Sequence, residues 1–170
     1  MLSNRPDAGG LAKAEARGVP VAVVDHRTYG KDRTAFDAAM AGVLAEHGVE
    51  LIALAGFMRI MTDGFVNAWA GRMLNIHPSI LPLFKGLDTH RRALEAGMAV
   101  HGCTVHEVTP DLDSGRILGQ AVVPVRAGDT PDALAARVLE QEHRLYPAVL
   151  RAFAEDPQRC RSTPVALFGA

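Results

Sequence analysis

The chain has few of the features that would commit it to a special class. Its two cysteines, Cys103 and Cys160, are too few for a disulfide scaffold and stand in no metal-ligand spacing. Two unpaired thiols suit a reducing compartment, and the cytoplasm is the expected location. No apolar run approaches the ~20 residues that a membrane span requires, and the first residues lack the basic-then-apolar pattern of a secretory signal. Neither sign of charge dominates. With 18 basic and 19 acidic side chains the net charge is −1 at pH 7, which offers no electrostatic footprint for a nucleic acid or an anionic membrane. Repeats, low-complexity tracts and domain-dividing linkers are missing too. What remains is ordinary globular composition: 170 residues, 48% hydrophobic and 22% charged, enough for one domain with a real core.

Along the chain, short apolar segments alternate with helical ones. Residues 11–18 predict a short helix stopped by Gly18, and 19–24 a short strand. Residues 33–47 place Phe36, Met40, Val43 and Leu44 at helical spacing before Gly48. A second apolar run, 49–55, ends at Gly56. Thr62 and Asp63 open a helix carrying Phe65, Val66 and Trp69. Residues 73–76 form a third strand, and 89–96 a short helix ended by Gly97. This alternation predicts an α/β fold with an open, mostly parallel sheet flanked by helices.

The pattern changes after residue 98. Residues 101–108 and 117–125 are strand-like with no helix between them, joined by a loop at 109–116, and predict an antiparallel extension of the sheet toward the C-terminal side. Thr130-Pro131-Asp132 then opens a long helix with a cap, a first-position proline and an early acid. Leu134, Val138, Leu145 and Val149 form its inward stripe, and Pro147 predicts a kink. From Asp156 onward the chain is polar and expected to be irregular.

The most informative stretch is Leu74-Asn75-Ile76-His77-Pro78-Ser79-Ile80-Leu81-Pro82. On a strand, residues i and i+2 share a face, so an amide and an imidazole project together where Pro78 stops the ladder. That pairing suits chemistry at a carbonyl; it also describes a strand end with a structural histidine. Glu142 lies four residues after Val138 and three before Leu145, on the apolar side of its helix. It is either a rim position reached by water or an acceptor for a ligand hydroxyl. Asp111 and Asp113 stand in Thr109-Pro110-Asp111-Leu112-Asp113-Ser114-Gly115, which is first of all a turn, yet a carboxylate held near His77 would orient its ring. Gly56-Phe57-Met58-Arg59-Ile60 is an exposed turn or one wall of a slot for a flat ligand, with Arg59 meeting a carboxylate. Arg33, near a helix start, reads by itself as a solvated cation. His90, His101 and His106 have no consistent metal spacing and read as structural or supporting residues.

Taken together, Gly56-Phe57-Met58-Arg59-Ile60, Leu74-Asn75-Ile76-His77-Pro78-Ser79-Ile80-Leu81-Pro82, Gly86-Leu87-Asp88-Thr89-His90, His101-Gly102-Cys103-Thr104-Val105-His106, Asp111-Leu112-Asp113-Ser114-Gly115 and Gln141-Glu142-His143 resemble phosphoribosylglycinamide formyltransferase, the folate-dependent enzyme of purine synthesis. The resemblance covers nearly the whole chain in order. It implies the Rossmann-like formyltransferase fold and transfer of a formyl group from 10-formyltetrahydrofolate to the amine of glycinamide ribonucleotide. It implies that Asn75, His77 and Asp113 are catalytic, with His77 the general acid, Asn75 an oxyanion donor and Asp113 the group that orients His77. It further implies that Arg33, Met58, Arg59, Ile60, Met61, Asn75, Thr109, Pro110, Asp111, Leu112 and Asp113 hold the folate. Leu139, Glu140, Gln141 and Glu142 would lie near the ribonucleotide, with Glu142 on its ribose. No metal is required, the partners are small molecules rather than nucleic acid or membrane, and the implied assembly is a monomer or homodimer.

Two other functions remain open. A formyltetrahydrofolate hydrolase would pass the formyl group to water, and a non-catalytic folate-binding remnant would pass it nowhere. A methionyl-tRNA formyltransferase would need a larger basic surface, and Gly86-Leu87-Asp88-Thr89-His90 favours the ribonucleotide enzyme. Ser3-Asn4-Arg5-Pro6-Asp7-Ala8 resembles a segment that in the family follows a first strand, a glycine-rich phosphate loop and a helix. The sequence therefore predicts one formyltransferase domain over residues 1–170, truncated at its N-terminus relative to the family, with strand edges left open. Lys85 stands where the family commonly has proline, and a small effect is expected from it.

Overall fold

Local chemistry sets where the elements begin. Asp32, Thr62 and Thr130 each accept a hydrogen bond from a backbone N–H one turn ahead, Ala35, Phe65 and Ala133 respectively. These caps start α2 (Arg33–Glu46), α3 (Asp63–Ala68) and α5 (Pro131–Glu155). The computed structural model describes residues 1–169, and the chain divides into two compact units.

The first unit comprises Met1–Glu50 and Phe57–Trp69. It contains β1 (Leu2–Ser3) paired in parallel with β2 (Ala22–Val23), with the helix α1 (Gly9–Glu15) between them in the chain and α2 and α3 after them. The expected strand at 19–24 shrinks to two residues, since Pro20 has no N–H to give a ladder. Phe36, Met40, Leu44, Phe65 and Val66 are the unit's buried apolar residues on helices. Asp37, also buried, accepts from the Thr62 backbone N–H at 2.7 Å.

The second unit comprises residues 51–56 and the chain from Ala70 onward. Its sheet runs β3 (Ile52–Leu54), β4 (Met73–His77), β5 (Val100–Glu107), β6 (Ile117–Pro124), β7 (Val165–Phe168), in that spatial order. The β3–β4 and β6–β7 ladders are parallel, while β4–β5 and β5–β6 are antiparallel. With β1–β2 counted, three of the five ladders are parallel, and helices flank the sheet. The antiparallel part lies in the middle of the order, and the last strand returns parallel to its neighbour.

Alternation on β4 divides its residues between two jobs. Leu74 and Ile76 join the apolar core with Cys103, Val105, Leu118, Ala121 and Val123, and α5 closes that core with Leu134, Val138, Leu145 and Val149, each 0% exposed. Leu145→Ala would cost about 2–5 kcal/mol. The other β4 face carries Asn75 and His77. Tyr146 of α5 sets its hydroxyl 2.9 Å from the Leu54 carbonyl and 3.0 Å from that of Leu74, fixing the helix to the ends of β3 and β4. α5 continues as one helix through Pro147.

The chain beyond Asp156 is more ordered than its composition predicts. Asp156 ends α5 and caps α6 (Pro157–Ser162) by accepting from the N–H groups of Gln158 and Arg159. Arg161 then donates to Glu107 at 2.6 Å and to the Gly71 carbonyl at 3.2 Å. These long-range bonds hold a polar helix that periodicity could not reveal, and β7 follows it. No helix is long and apolar enough to cross a membrane among the described residues.

Candidate active site

Register builds the site. In the antiparallel β4–β5 ladder Asn75 stands opposite His106, and His77 opposite Thr104. Directly opposed side chains on one face touch, so the Asn75 Nδ2 lies 3.3 Å from His106 Nε2. A bulge between Val105 and His106, in the β5–β6 pairing, changes the pitch where His106 sits.

The partners of His106 define its tautomer. Its Nδ1 is 2.8 Å from the Glu107 carbonyl oxygen, which can only accept, so Nδ1 carries the proton. Nε2 then offers a lone pair to the Asn75 amide N–H. This fixes the amide with its NH2 toward His106 and leaves a second N–H for another acceptor. Burial pushes His106 below the ordinary imidazole range, against the pull of the Glu107 carbonyl and the Asp113 carboxylate. A neutral His106 therefore matches the geometry.

His77 is 6% exposed. Its Nε2 is 3.1 Å from the Phe84 carbonyl oxygen, and its Nδ1 is 3.5 Å from Asp113 Oδ2. Both partners accept, so each ring nitrogen of His77 faces an acceptor. Asp113 also places Oδ1 3.7 Å from His106 Nε2, and its Oδ2 accepts from the Gly86 N–H at 2.8 Å. One carboxylate, with its side chain 8% exposed, thus lies between the two histidines, nearer to His77 than to the unprotonated Nε2 of His106.

A buried polar network holds the turn after β4. Thr104 donates to the Ser79 carbonyl at 2.7 Å and accepts from the Leu81 N–H at 3.0 Å. Gln120 of β6 donates to the Leu81 carbonyl at 2.9 Å and to Thr104 Oγ1 at 3.1 Å. Ser79 Oγ donates to the Leu83 carbonyl at 2.6 Å. These bonds carry the Phe84 carbonyl to His77. On the other side, the loop after β5 must run close to the strand end. A Cβ at Gly115 would stand 1.7 Å from the Glu107 carbonyl oxygen, so only glycine closes this loop and delivers Asp113.

The other expected site residues are placed as follows. Thr109, Pro110, Asp111 and Leu112 form an exposed loop, with Leu112 64% exposed. In the first unit, Arg33 is exposed at the first position of α2, and Met58, Arg59 and Ile60 are exposed, with Met61 half-buried. Leu139 and Glu140 are exposed on α5, whereas Gln141 is buried and accepts from Arg144 at 3.3 Å. These last three do not share one surface. Glu142 is half-buried, burial raises its carboxyl above the usual range, and it has no hydrogen-bond partner among the described residues. Burial, with the Glu142 charge second, pushes the Cys103 thiol up to about 12.

His106, Thr104 and Gln120 are the functional neighbours that sequence reasoning underrated. The signal for Thr104 and His106 was a set of polar residues, with His101, inside an apolar strand whose residues 101–106 are all buried. Half-buried His90 and fully buried His101 form a further pair, with ring centroids 5.2 Å apart. His90 Nε2 and both His101 ring nitrogens have no hydrogen-bond partner among the described residues. Those residues contain no group of three or more His, Cys, Asp or Glu side chains arranged to hold a metal ion.

A buried acid–imidazole pair beside a fixed amide is a site for polarising a carbonyl, and comparison places the chain in a matching class. The model of the formyl transferase family matches residues 1–150, and the chain belongs to that family. Within it the likeness is to phosphoribosylglycinamide formyltransferases. The enzyme of that name from Escherichia coli (strain K12) is 44% identical over 155 residues, which is 91% of this chain and 73% of that protein. A solved structure of phosphoribosylglycinamide formyltransferase from Brucella melitensis superposes with a TM-score of 0.85 at 51% identity, covering 90% of this chain and 78% of that one. The trifunctional purine biosynthetic protein adenosine-3 of Gallus gallus is 53% identical over 154 residues, and there the chain spans only 15% of the relative's length.

Proposed function

We propose that this chain transfers the formyl group of 10-formyltetrahydrofolate to the amine of glycinamide ribonucleotide, in purine biosynthesis in the cytoplasm. The observation that carries the proposal is the shared face of β4, where Asn75 and His77 project together and are fixed by His106 and Asp113 respectively.

The amine lone pair attacks the formyl carbon and forms a C–N bond, while the carbonyl π pair moves onto oxygen. The free N–H of Asn75 receives that oxyanion, and the Nε2–H of His77 turns to it from the Phe84 carbonyl. One preorganised donor of this kind is worth about 3–4 kcal/mol of barrier. Collapse of the tetrahedral centre breaks the bond to the folate nitrogen, which takes a proton from His77. The attacking nitrogen releases a proton, and this restores the ring. Asp113 stabilises the imidazolium and holds its orientation. The exposed loop Thr109–Leu112 is assigned to the folate and Glu142 to a ribose hydroxyl, which a half-buried carboxyl acceptor would bind well.

Formyl-labelled 10-formyltetrahydrofolate incubated with the chain and glycinamide ribonucleotide tests this directly. The expected result is label in the ribonucleotide amide with an equal amount of free tetrahydrofolate. Label recovered only as formate would replace transfer with hydrolysis. Folate binding with no labelled product would identify a binding remnant.

A further inference from the structure

Three non-glycine residues among those described have positive φ: Phe84 at 56°, Asp88 at 55° and Asp113 at 47°. Such backbone is costly for a side-chain-bearing residue and persists only where its surroundings hold it. All three lie on two loops of the second unit, the one after β4 and the one after β5. The bonds between these loops form a connected chain. Arg92 of α4 (Thr89–Glu95) donates to the carbonyls of Lys85 and Leu87 at 2.6 and 3.2 Å. The Lys85 ammonium donates to Ser114 Oγ at 2.6 Å, and Ser114 donates to the Leu112 carbonyl at 2.9 Å. On the residues next to Lys85 and Ser114, the Gly86 N–H meets Asp113 Oδ2.

We infer that Lys85 and Ser114 form a latch that joins the two loops and fixes the Asp113 carboxylate at its distance from His77; they are positioning residues for formyl transfer. The inference rests on the function proposed above. Ser114 accepts a charge-assisted bond while donating one, and bonds in series polarise each other. The Gly86–Asp113 bond and the two histidines act on the carboxylate end of Asp113. The latch supplies a second point of attachment on the adjacent residue, and two points define an orientation. Lys85 and Ser114 are both exposed, so the latch has little to do with global stability and acts on the geometry of Asp113.

The test is a double-mutant cycle with Lys85→Met and Ser114→Ala, read by steady-state kinetics and by the His77 ring resonances at fixed pH in histidine-labelled protein. Each single variant is expected to lower kcat about fivefold with KM for both substrates within twofold. The double variant should be no slower than either single one, since both remove the same latch. Lys85→Arg should keep kcat within twofold of the parent. The His77 resonances should move alike in both singles and in the double. Additive losses, or unchanged kcat and unmoved resonances in the single variants, would overturn the latch. A parent chain that transfers no formyl group would overturn the function instead, and the resonances would still decide whether Lys85 and Ser114 position Asp113.

Discussion

The floor of the site and its rim are built on opposite principles. Asn75, His77, His106 and Asp113 form the floor, where partners within the protein fix each side chain and one Asn75 N–H is left for the substrate. Thr109 to Leu112 form the rim, exposed and bonded within their own loop, by Thr109 Oγ1 to the Asp111 carbonyl at 3.1 Å and by Ser114 Oγ to the Leu112 carbonyl at 2.9 Å. A floor that is rigid before substrate arrives can stabilise a developing charge without reorganising. A rim that is loose can fit itself to a ligand. Changes to the floor should therefore appear in kcat, and changes to the rim in KM.

The largest expected effect is at the oxyanion donor. Asn75→Ala should lower kcat by about 10²–10³-fold while folate affinity changes little, measured by steady-state rates beside calorimetry with a folate analogue. Equal losses in kcat and affinity would erase the distinction between floor and rim.

The buried histidine behind the floor makes the fold acid-sensitive. Burial holds His101 down to about 4, below its ordinary 6.5. The unfolded chain then binds a proton on this residue where the folded chain does not. Stability present above about pH 6.5 should thus fall as pH drops toward about 4, by on the order of 3 kcal/mol. Urea midpoints followed from pH 7 to pH 4.5 should fall more steeply in the parent than in His101→Leu. Parallel curves would mean that another group carries the acid sensitivity.

A smaller effect is expected at His106. His106→Leu removes the lone pair that orients the Asn75 amide and should lower kcat about tenfold, whereas His106→Gln, which can still accept from Asn75, should recover most of the rate. A glutamine variant as slow as the leucine variant would mean that packing at this position, not the orientation of Asn75, is what matters. At the rim, Leu112→Ser should raise KM for the folate about threefold with kcat unchanged, since part of one apolar contact is lost.

The strand end at Asn75 and His77, the cap at Thr130 and the stripe on α5 were legible because each is a local pattern. The pairing of Asn75 with His106 was not, because it depends on an antiparallel register between residues 31 positions apart. The same holds for Thr104 and Gln120, whose roles exist only once three strands are aligned. α6 was missed because Arg161 and Glu107, 54 positions apart, supply the contact that its polar sequence lacks. Lys85, standing where the family commonly has proline, was expected to have a small effect; its partner Ser114 lies 29 residues away and became visible only in the folded loops.

The most direct measurement is the single-turnover rate of formyl transfer by His77→Ala beside the dissociation constant of the same variant for a folate analogue. The account predicts a rate at least about a hundredfold below that of the parent, with folate binding within a few fold. Transfer at the parental rate, with the imidazole gone and folate still bound, would contradict it.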